Sequence, residues 1–508
     1  SHAEDTVHLV REVFGKGKAG GHGKNDGIDF DELGVSEVVE LLDTANIEAV
    51  VRDFGDRNPQ EDPVIHFYEL FLKEYDAKKR MSRGVFYTPR PVVSYIVRSV
   101  DELLRTEFGL ADGLADTTTW DAMAKRNKGL KVPEGVSPGQ DFVQILDPAT
   151  GTGTFLVEVI DLIHKTLVAK WKAQGHGEQK IDALWNEYVP KHLLRRLHGY
   201  ELLMAPYAIA HLKIGLKLYE TGYRFDSDER ARVYLTNALE PAQEFSGRFD
   251  FAIPALAHEA NAVNEVKRHK RFSIVIGNPP YSEKSKNEGA WISGLMERYK
   301  TTIRSEEAQI KTVSNDYVKF LCFIHHQAEL AGNSIIGVIT SNGYLDGRLF
   351  RDLRRAWLAS FEHIDLLNLH GSGRRGDTVS DDENVFDILQ GVSIAIARRF
   401  HRSATQQVQY AETLGPRTRK YQRLLEECAI DGLPLTPREP LFLFMPSVVA
   451  QTSVPTWSLS AIFGTGNPSK DRNRTYAGGF KTRQDSFTVA LDEQTLRQRI
   501  AELKDDSI

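Results

Sequence analysis

The chain has 508 residues, of which 41% are hydrophobic and 26% are charged, and its formal net charge is −6. This length predicts two or three domains, and the longest apolar runs, such as 335–339, are too short to span a bilayer. The acidic excess argues against nucleic-acid binding by bulk charge alone. Because only two cysteines occur, without a CxxC pair, we expect a soluble, cytoplasmic protein that binds no membrane and holds no metal.

The apolar spacing changes twice along the chain and divides it into three predicted units. Residues 1–80 have the spacing of amphipathic helices, which predicts an N-terminal helical region or linker. Residues 81–425 alternate short apolar strands with helical patterns, which predicts a mostly parallel α/β sheet flanked by helices, and residues 426–508 have a weaker pattern. The predicted strands are 142–146, 197–200, 232–235, 273–276, 335–339 and 392–397, and a long loop is predicted at 111–140.

A glycine turn follows the first predicted strand, in Q-I-L-D-P-A-T-G-T-G-T-F. Asp147 ends the strand, and Gly151 and Gly153 precede an apolar helical repeat, so a ligand is expected near the turn and the helix N-terminus. A dinucleotide fingerprint would have glycine in place of Leu156, and a P-loop would continue with Gly-Lys-Ser/Thr, so both are excluded. Glu201 follows the next strand and is placed to accept hydrogen bonds from ribose hydroxyls.

A rigid tip follows the predicted strand at 273–276, in S-I-V-I-G-N-P-P-Y. Pro279 and Pro280 must end the strand, since neither can donate to a ladder. The Asn278 side chain and the Pro279 carbonyl offer two acceptors for an aromatic amino group, and such acceptors stabilise the charge that develops when the nitrogen is alkylated. Tyr281 offers a ring for stacking on a base that has left its duplex. The sulfonium of S-adenosylmethionine would then occupy the glycine-turn pocket, and no metal is needed.

The tip alone leaves the substrate open. The same residues serve methylation of adenine N6, cytosine N4, an RNA base or a protein glutamine, and a non-catalytic DNA-binding scaffold is a further alternative. Four basic runs favour nucleic acid, because together they predict a local phosphate-binding surface. These runs are Arg348, Arg351, Arg354 and Arg355; Arg374 and Arg375; Arg398, Arg399 and Arg402; and Arg417, Arg419, Lys420 and Arg423.

These motifs resemble the amino-type DNA methyltransferases that modify adenine N6, with the cofactor motif before the catalytic motif. The resemblance implies a Rossmann-like methyltransferase sheet, S-adenosylmethionine as cofactor and Asn278, Pro279, Pro280 and Tyr281 as catalytic residues. It also implies the following cofactor contacts: Tyr87, Thr88 and Pro89 in G-V-F-Y-T-P-R-P-V-V; Asp147, Ala149, Gly151, Gly153 and Phe155 in D-P-A-T-G-T-G-T-F; Glu201 at the ribose; and Asn237 and Ala238 in Y-L-T-N-A-L. Asn237 stands where the family has an acid beside the adenine.

The segment D-E-N-V-F-D-I-L-Q-G-V-S-I-A-I at 382–396 is similar to a narrower group, the type ISP single-polypeptide restriction-modification enzymes. In that group a nuclease and a helicase motor precede the methyltransferase, and a target-recognition domain follows it. The resemblance therefore implies a site-specific, base-flipping methyltransferase of duplex DNA in restriction-modification or phage defence. It further implies nuclease and helicase portions of the same system as partners, and the start of a recognition domain at 426–508.

Overall fold

The computed structural model of the protein describes residues 88–127, 129–242, 254–282, 285–306, 313–372, 381–400 and 406–446. All of them belong to one compact unit, Ser1–Pro446. The predicted helical region at 1–80, Tyr87 and the C-terminal residues from 447 onward lie outside the described residues. The domain boundary near residue 425 stays a prediction, and the sheet described below continues to residue 435.

The described residues form a nine-stranded sheet in the order β3-β2-β1-β4-β5-β7-β6-β8-β9. The strands are β1 Ile145–Asp147, β2 Leu197–Glu201, β3 Arg232–Leu235, β4 Ile274–Gly277, β5 Ser334–Ser341, β6 His363–His370, β7 Val392–Arg399, β8 Gln407–Glu412 and β9 Leu433–Leu435. Five of the eight neighbouring pairs are parallel. The antiparallel pairs are β5–β7, β6–β7 and β8–β9. The prediction of a mostly parallel α/β sheet is confirmed.

Helices cover the sheet on both sides. They are α1 Arg90–Thr106, α2 Trp120–Arg126, α3 Thr154–Ala173, α4 Glu178–Tyr188, α5 Leu194–Arg196, α6 Met204–Glu220, α7 Pro254–His269, α8 Ala290–Leu295, α9 Ile303–Glu306, α10 Asp316–Ala331, α11 Arg351–Ser360 and α12 Arg417–Glu426. Every residue of β1, β2, β4 and β5 is buried, as expected for strands packed on both faces. No helix in the described ranges is long and apolar enough to cross a bilayer.

Each of the six predicted strands has a counterpart, although β1 begins at Ile145 rather than at residue 142. The prediction of one long loop at 111–140 is wrong in part, because α2 forms within it. Thr119 caps the N-terminus of this helix by accepting a hydrogen bond from the Ala122 N–H at 3.3 Å, a local start signal within a segment of loop-like composition. Strands β6, β8 and β9 are additional to the predicted set.

The strand order reverses between β1 and β4. From β1 the chain passes outward to β2 and β3, and it then returns to β4 beside β1 and continues to β5. Ligands of open α/β sheets bind at such a switch point, outside the carboxyl ends of the strands. The turn after β1 and the tip after β4 therefore meet where this architecture places a ligand.

Candidate active site

The turn after β1 is held by its own side chains and by the next strand. The Thr150 hydroxyl donates to the Asp147 carbonyl oxygen at 3.0 Å, and the Thr150 N–H donates to the Tyr200 carbonyl in β2. Gly153 has φ of 82°, and a Cβ there would lie 3.2 Å from the Ala210 side chain of α6. Glycine is required at this position because the left-handed turn and the close helix leave no room for a side chain.

Two buried carboxyl groups line the turn. Glu201 accepts from the Gly151 N–H at 2.8 Å and from the Leu203 N–H at 2.7 Å, so it joins the turn to the end of β2. Asp147 Oδ1 accepts from the Ala149 N–H at 3.1 Å, whereas Asp147 Oδ2 is buried and has no partner among the described residues. An acceptor left without a partner next to a glycine turn fits a ligand that brings hydrogen-bond donors.

Burial raises the pKa of both carboxyl groups. It raises the pKa of Asp147 to about 8, with Glu201 adding to the rise. It also raises the pKa of Glu201 to about 7, against the opposing effect of the hydrogen bonds from the Leu203 and Gly151 N–H groups. Near neutral pH the pair therefore holds protons that a cation or a hydroxyl donor would displace.

The tip after β4 contacts the residues that the sequence assigns to the cofactor. The Asn278 Nδ2 donates to Thr88 Oγ1 at 3.0 Å, which brings the segment before α1 to the tip. A Cβ on Gly277 would lie 2.8 Å from Asp147 Oδ1, so the tip and the turn are in direct contact. The Pro279 carbonyl oxygen accepts no hydrogen bond from any described residue.

Tyr281, the last residue of the tip, is buried rather than exposed. Its hydroxyl donates to Asn278 Oδ1 at 2.6 Å, and its side chain is 6% exposed. The Phe386 ring meets it edge to face, with centroids 6.3 Å apart. A base can stack on this ring only after a neighbour moves. Phe386 was not among the predicted site residues, because the contact joins strand ends far apart in sequence.

The remaining predicted contacts differ in exposure. Asn237 is partly exposed, and its Nδ2 donates to Glu240 and to Asn287 at 3.0 and 2.9 Å. The Asn237 amide therefore donates to partners within the protein. Phe155 and Ala238 are each 3% exposed and pack in the core.

The described arginines of the basic runs are mostly bound within the protein, which corrects the expectation of a phosphate-binding surface there. Their partners are Glu306 for Arg351, Asp352 for Arg355, Glu107 and Asp365 for Arg398, carbonyl oxygens of Tyr344, Gly347 and Leu441 for Arg354, and carbonyl oxygens of Gly332 and Ser360 for Arg399. Arg419 is exposed, and Arg374, Arg375 and Arg402 lie outside the described residues. Within the described part, these contacts stabilise the fold.

A family model matches part of the chain. Residues 202–373, which include the tip, match the model of the Eco57I restriction-modification methylase. No curated protein matches the chain. The resemblance to restriction-modification methylases that the motifs indicate is thus confirmed for the segment that carries the tip.

Solved structures share the fold. The DrdV–DNA complex is 24% identical with a TM-score of 0.54, covering 73% of this chain and 32% of that one. The type ISP enzyme LlaBIII bound to DNA is 21% identical with a TM-score of 0.56, covering 86% and 28%. A nuclease-deletion mutant of the type ISP enzyme LlaGI, in complex with a DNA substrate mimic, is 20% identical with a TM-score of 0.57, covering 86% and 33%. The chain therefore spans about a third of the length of these proteins, and it shares the fold of the part that it covers.

Proposed function

We propose that the protein is an S-adenosylmethionine-dependent DNA methyltransferase that modifies adenine N6 in a restriction-modification system. The observation that carries this proposal is the contact between the tip and the glycine turn at the switch point. A Cβ on Gly277 would lie 2.8 Å from Asp147 Oδ1, so an acceptor for an amino group and a pocket for its methyl donor share one wall.

The residues around the turn fit the cofactor. Asp147 Oδ2 is a buried acceptor without a partner, and the oxygens of Glu201 keep lone pairs beyond their two backbone hydrogen bonds. The Gly151 backbone lies beside Glu201 at the turn, and Thr88 contacts Asn278 at the tip. When bound, the cofactor supplies an electrophilic methyl group. The chain's own residues hold the methyl donor next to the amino acceptor and exclude water from both.

The tip prepares the amino nitrogen. Asn278 Oδ1 and the Pro279 carbonyl accept hydrogen bonds from the two N–H bonds, which draws the nitrogen lone pair out of conjugation with the ring. Asn278 Oδ1 has two lone pairs, so it serves the substrate while it accepts from Tyr281. We propose that Tyr281 stacks on the flipped base once its surroundings open.

DNA is the substrate that the relatives favour. The three similar structures are named as complexes with DNA or a DNA mimic, and two are type ISP restriction-modification enzymes. We extend this to duplex DNA for the present chain, to nuclease and helicase portions of the same system as partners, and to a cytoplasmic location.

The substrate class is tested by methyl transfer from radiolabelled S-adenosylmethionine. Duplex DNA, single-stranded DNA, RNA and a protein extract are offered in parallel, each with wild-type protein and with Asn278→Ala. We expect label in duplex DNA only, and its loss in Asn278→Ala while cofactor binding is retained. Label confined to RNA or protein would contradict the proposal, and so would cofactor binding without transfer to any acceptor.

A further inference from the structure

The loop between β6 and β7 lies at the same edge of the sheet as the tip. Strands β5 and β6 are both antiparallel to β7, which lies between them, so β6 runs in the direction of β4 and β5. The loop therefore starts at the edge where the carboxyl ends of β4 and β5 lie. Within this loop, residues 382–387 carry Phe386, which is 4% exposed and lies edge to face on Tyr281. Through this contact, the position of the loop affects the position of Tyr281 and hence of the tip.

Arg417, the first residue of α12, holds the loop through three donors. Its Nε donates to the Asn384 carbonyl at 2.7 Å, and its Nη2 donates to the Phe386 carbonyl at 3.1 Å and to Asp387 Oδ1 at 2.8 Å. Its backbone N–H donates to Glu383 Oε2 at 2.8 Å. A guanidinium can reach separate acceptors in this way because its donors are fixed in one plane.

The next turn of α12 completes the attachment. Lys420 is fully buried, and its Nζ donates to the carbonyls of Leu369 and Glu383 at 2.7 and 2.5 Å. It also pairs with Asp382 Oδ1 at 2.7 Å. The Tyr421 hydroxyl donates to the Val385 carbonyl at 2.8 Å. Each residue from 382 to 387 thus accepts at least one hydrogen bond from α12.

We propose that α12 is a positioning element for the active site. Arg417, Lys420 and Tyr421 fix residues 382–387, and the loop fixes Phe386 against Tyr281, whose hydroxyl binds Asn278. Arg417 and Lys420 of this basic run act through the loop rather than on DNA phosphate. The inference rests on the proposed function, because the tip is the part whose geometry the loop controls.

A conservative variant distinguishes two possible roles of Arg417, a contact with DNA phosphate and the positioning of the loop. A phosphate contact needs a positive charge, and Arg417→Lys retains it. Positioning needs donors to three acceptors, which a lysine ammonium at the end of a flexible chain does not reproduce. Arg419→Ala is the matched control, since Arg419 is exposed on the same helix.

The experiment measures the methyl-transfer rate at saturating genomic DNA, the DNA affinity over a range of salt concentrations, and the thermal midpoint, for wild type, Arg417→Ala, Arg417→Lys and Arg419→Ala. We expect both Arg417 variants to lower the rate about 10- to 100-fold, as a misplaced reactive group does, with the affinity and its salt slope unchanged. Arg419→Ala should keep the wild-type rate. An unchanged methyl-transfer rate in Arg417→Ala would overturn the proposal. A wild-type rate in Arg417→Lys, together with a shallower salt dependence of DNA affinity in Arg417→Ala, would also overturn it, because that pattern indicates a phosphate contact.

Hydrogen exchange gives a readout that does not require activity. The Phe386 N–H donates to Asn384 Oδ1 at 2.9 Å, so its exchange reports the order of the loop. We expect faster exchange at 384–386 in both Arg417 variants and not in Arg419→Ala. If wild type transfers no methyl group, the proposed function fails while this arm still decides whether α12 holds the loop, and equal exchange in all variants would contradict the attachment.

Discussion

Asn278 is fixed from both sides at the end of β4. Its amide nitrogen donates to Thr88 Oγ1, and its oxygen accepts from the Tyr281 hydroxyl. Only the oxygen can accept from a substrate amino group, and the Thr88 contact keeps the nitrogen turned away. The folded protein therefore holds the side chain in the orientation that the proposed transfer needs.

Tyr281→Phe tests the hydroxyl separately from the ring. The variant keeps an aromatic ring for stacking but removes the hydrogen bond to Asn278 Oδ1, so we expect about a tenfold lower transfer rate with unchanged cofactor affinity. Tyr281→Ala, which removes both functions, should lose more. The rate of methyl transfer to DNA is measured for wild type, Tyr281→Phe and Tyr281→Ala. A Tyr281→Phe protein as fast as wild type would show that the hydroxyl is dispensable.

The buried carboxyl pair predicts pH-dependent cofactor binding. Burial raises the pKa of Asp147 to about 8 and that of Glu201 to about 7, so both are largely protonated in the free protein at lower pH. Hydroxyl donors and a cationic ligand favour the ionised forms, and binding must therefore release protons. Affinity should rise with pH through this range and level off above it.

Isothermal titration calorimetry with S-adenosylmethionine in buffers of different ionisation enthalpy measures that proton release directly. The Glu201→Gln variant should release fewer protons than wild type. Proton uptake on binding, or an affinity that does not change between about pH 6 and pH 9, would contradict the assignment of the pair to the cofactor site.

The sequence predicted the positions of single residues better than their surroundings. Asp147, Glu201 and Asn278 stand directly at strand ends, where short-range pattern predicts them. The edge-to-face contact between Tyr281 and Phe386 joins residues about a hundred positions apart in the chain, and no local pattern encodes it.

At the scale of elements, the site depends on how closely β1 and β4 approach at their ends. A Cβ on Gly277 would lie 2.8 Å from Asp147 Oδ1, in a place filled by a buried carboxyl group. Gly277→Ala should therefore displace Asp147, cost about 1–3 kcal/mol of stability and weaken cofactor binding.

Gly215→Ala is the control for this substitution. Gly215 lies inside α6, and a Cβ there meets nothing within 4 Å, so alanine should stabilise the protein by about 0.5–1 kcal/mol. Urea denaturation and cofactor titration of both variants test the pair. Normal cofactor affinity in Gly277→Ala would contradict the direct contact between the tip and the turn.

Strand β6 shows why the sheet was only partly predictable. In H-I-D-L-L-N-L-H the polar Asp365 and Asn368 interrupt the apolar run. The structure satisfies them across the sheet, where Asp365 pairs with Arg398 and Asn368 accepts from Asn342 at 3.1 Å. Polar residues inside a sheet are favourable only with such partners, and those partners come from distant parts of the chain. Strands β1 and β4, which lead to the turn and the tip, begin with adjacent apolar residues, and this local pattern is why their positions were predicted.

At the scale of the whole molecule, the chain shares its fold with part of each of three larger proteins. The chain spans 32%, 28% and 33% of the three similar structures, which are larger proteins. The described arginines of the basic runs mainly support the fold. In the function that we propose, the tip and the turn supply the chemistry of methyl transfer.

Base analysis of methylated DNA tests the central claim most directly. DNA from cells without adenine methylation is incubated with S-adenosylmethionine and either wild-type protein or Asn278→Ala, and is then digested to nucleosides for mass spectrometry. We predict N6-methyladenine with the wild-type protein and none above background with Asn278→Ala. N4-methylcytosine alone, or equal N6-methyladenine with both proteins, would contradict the account.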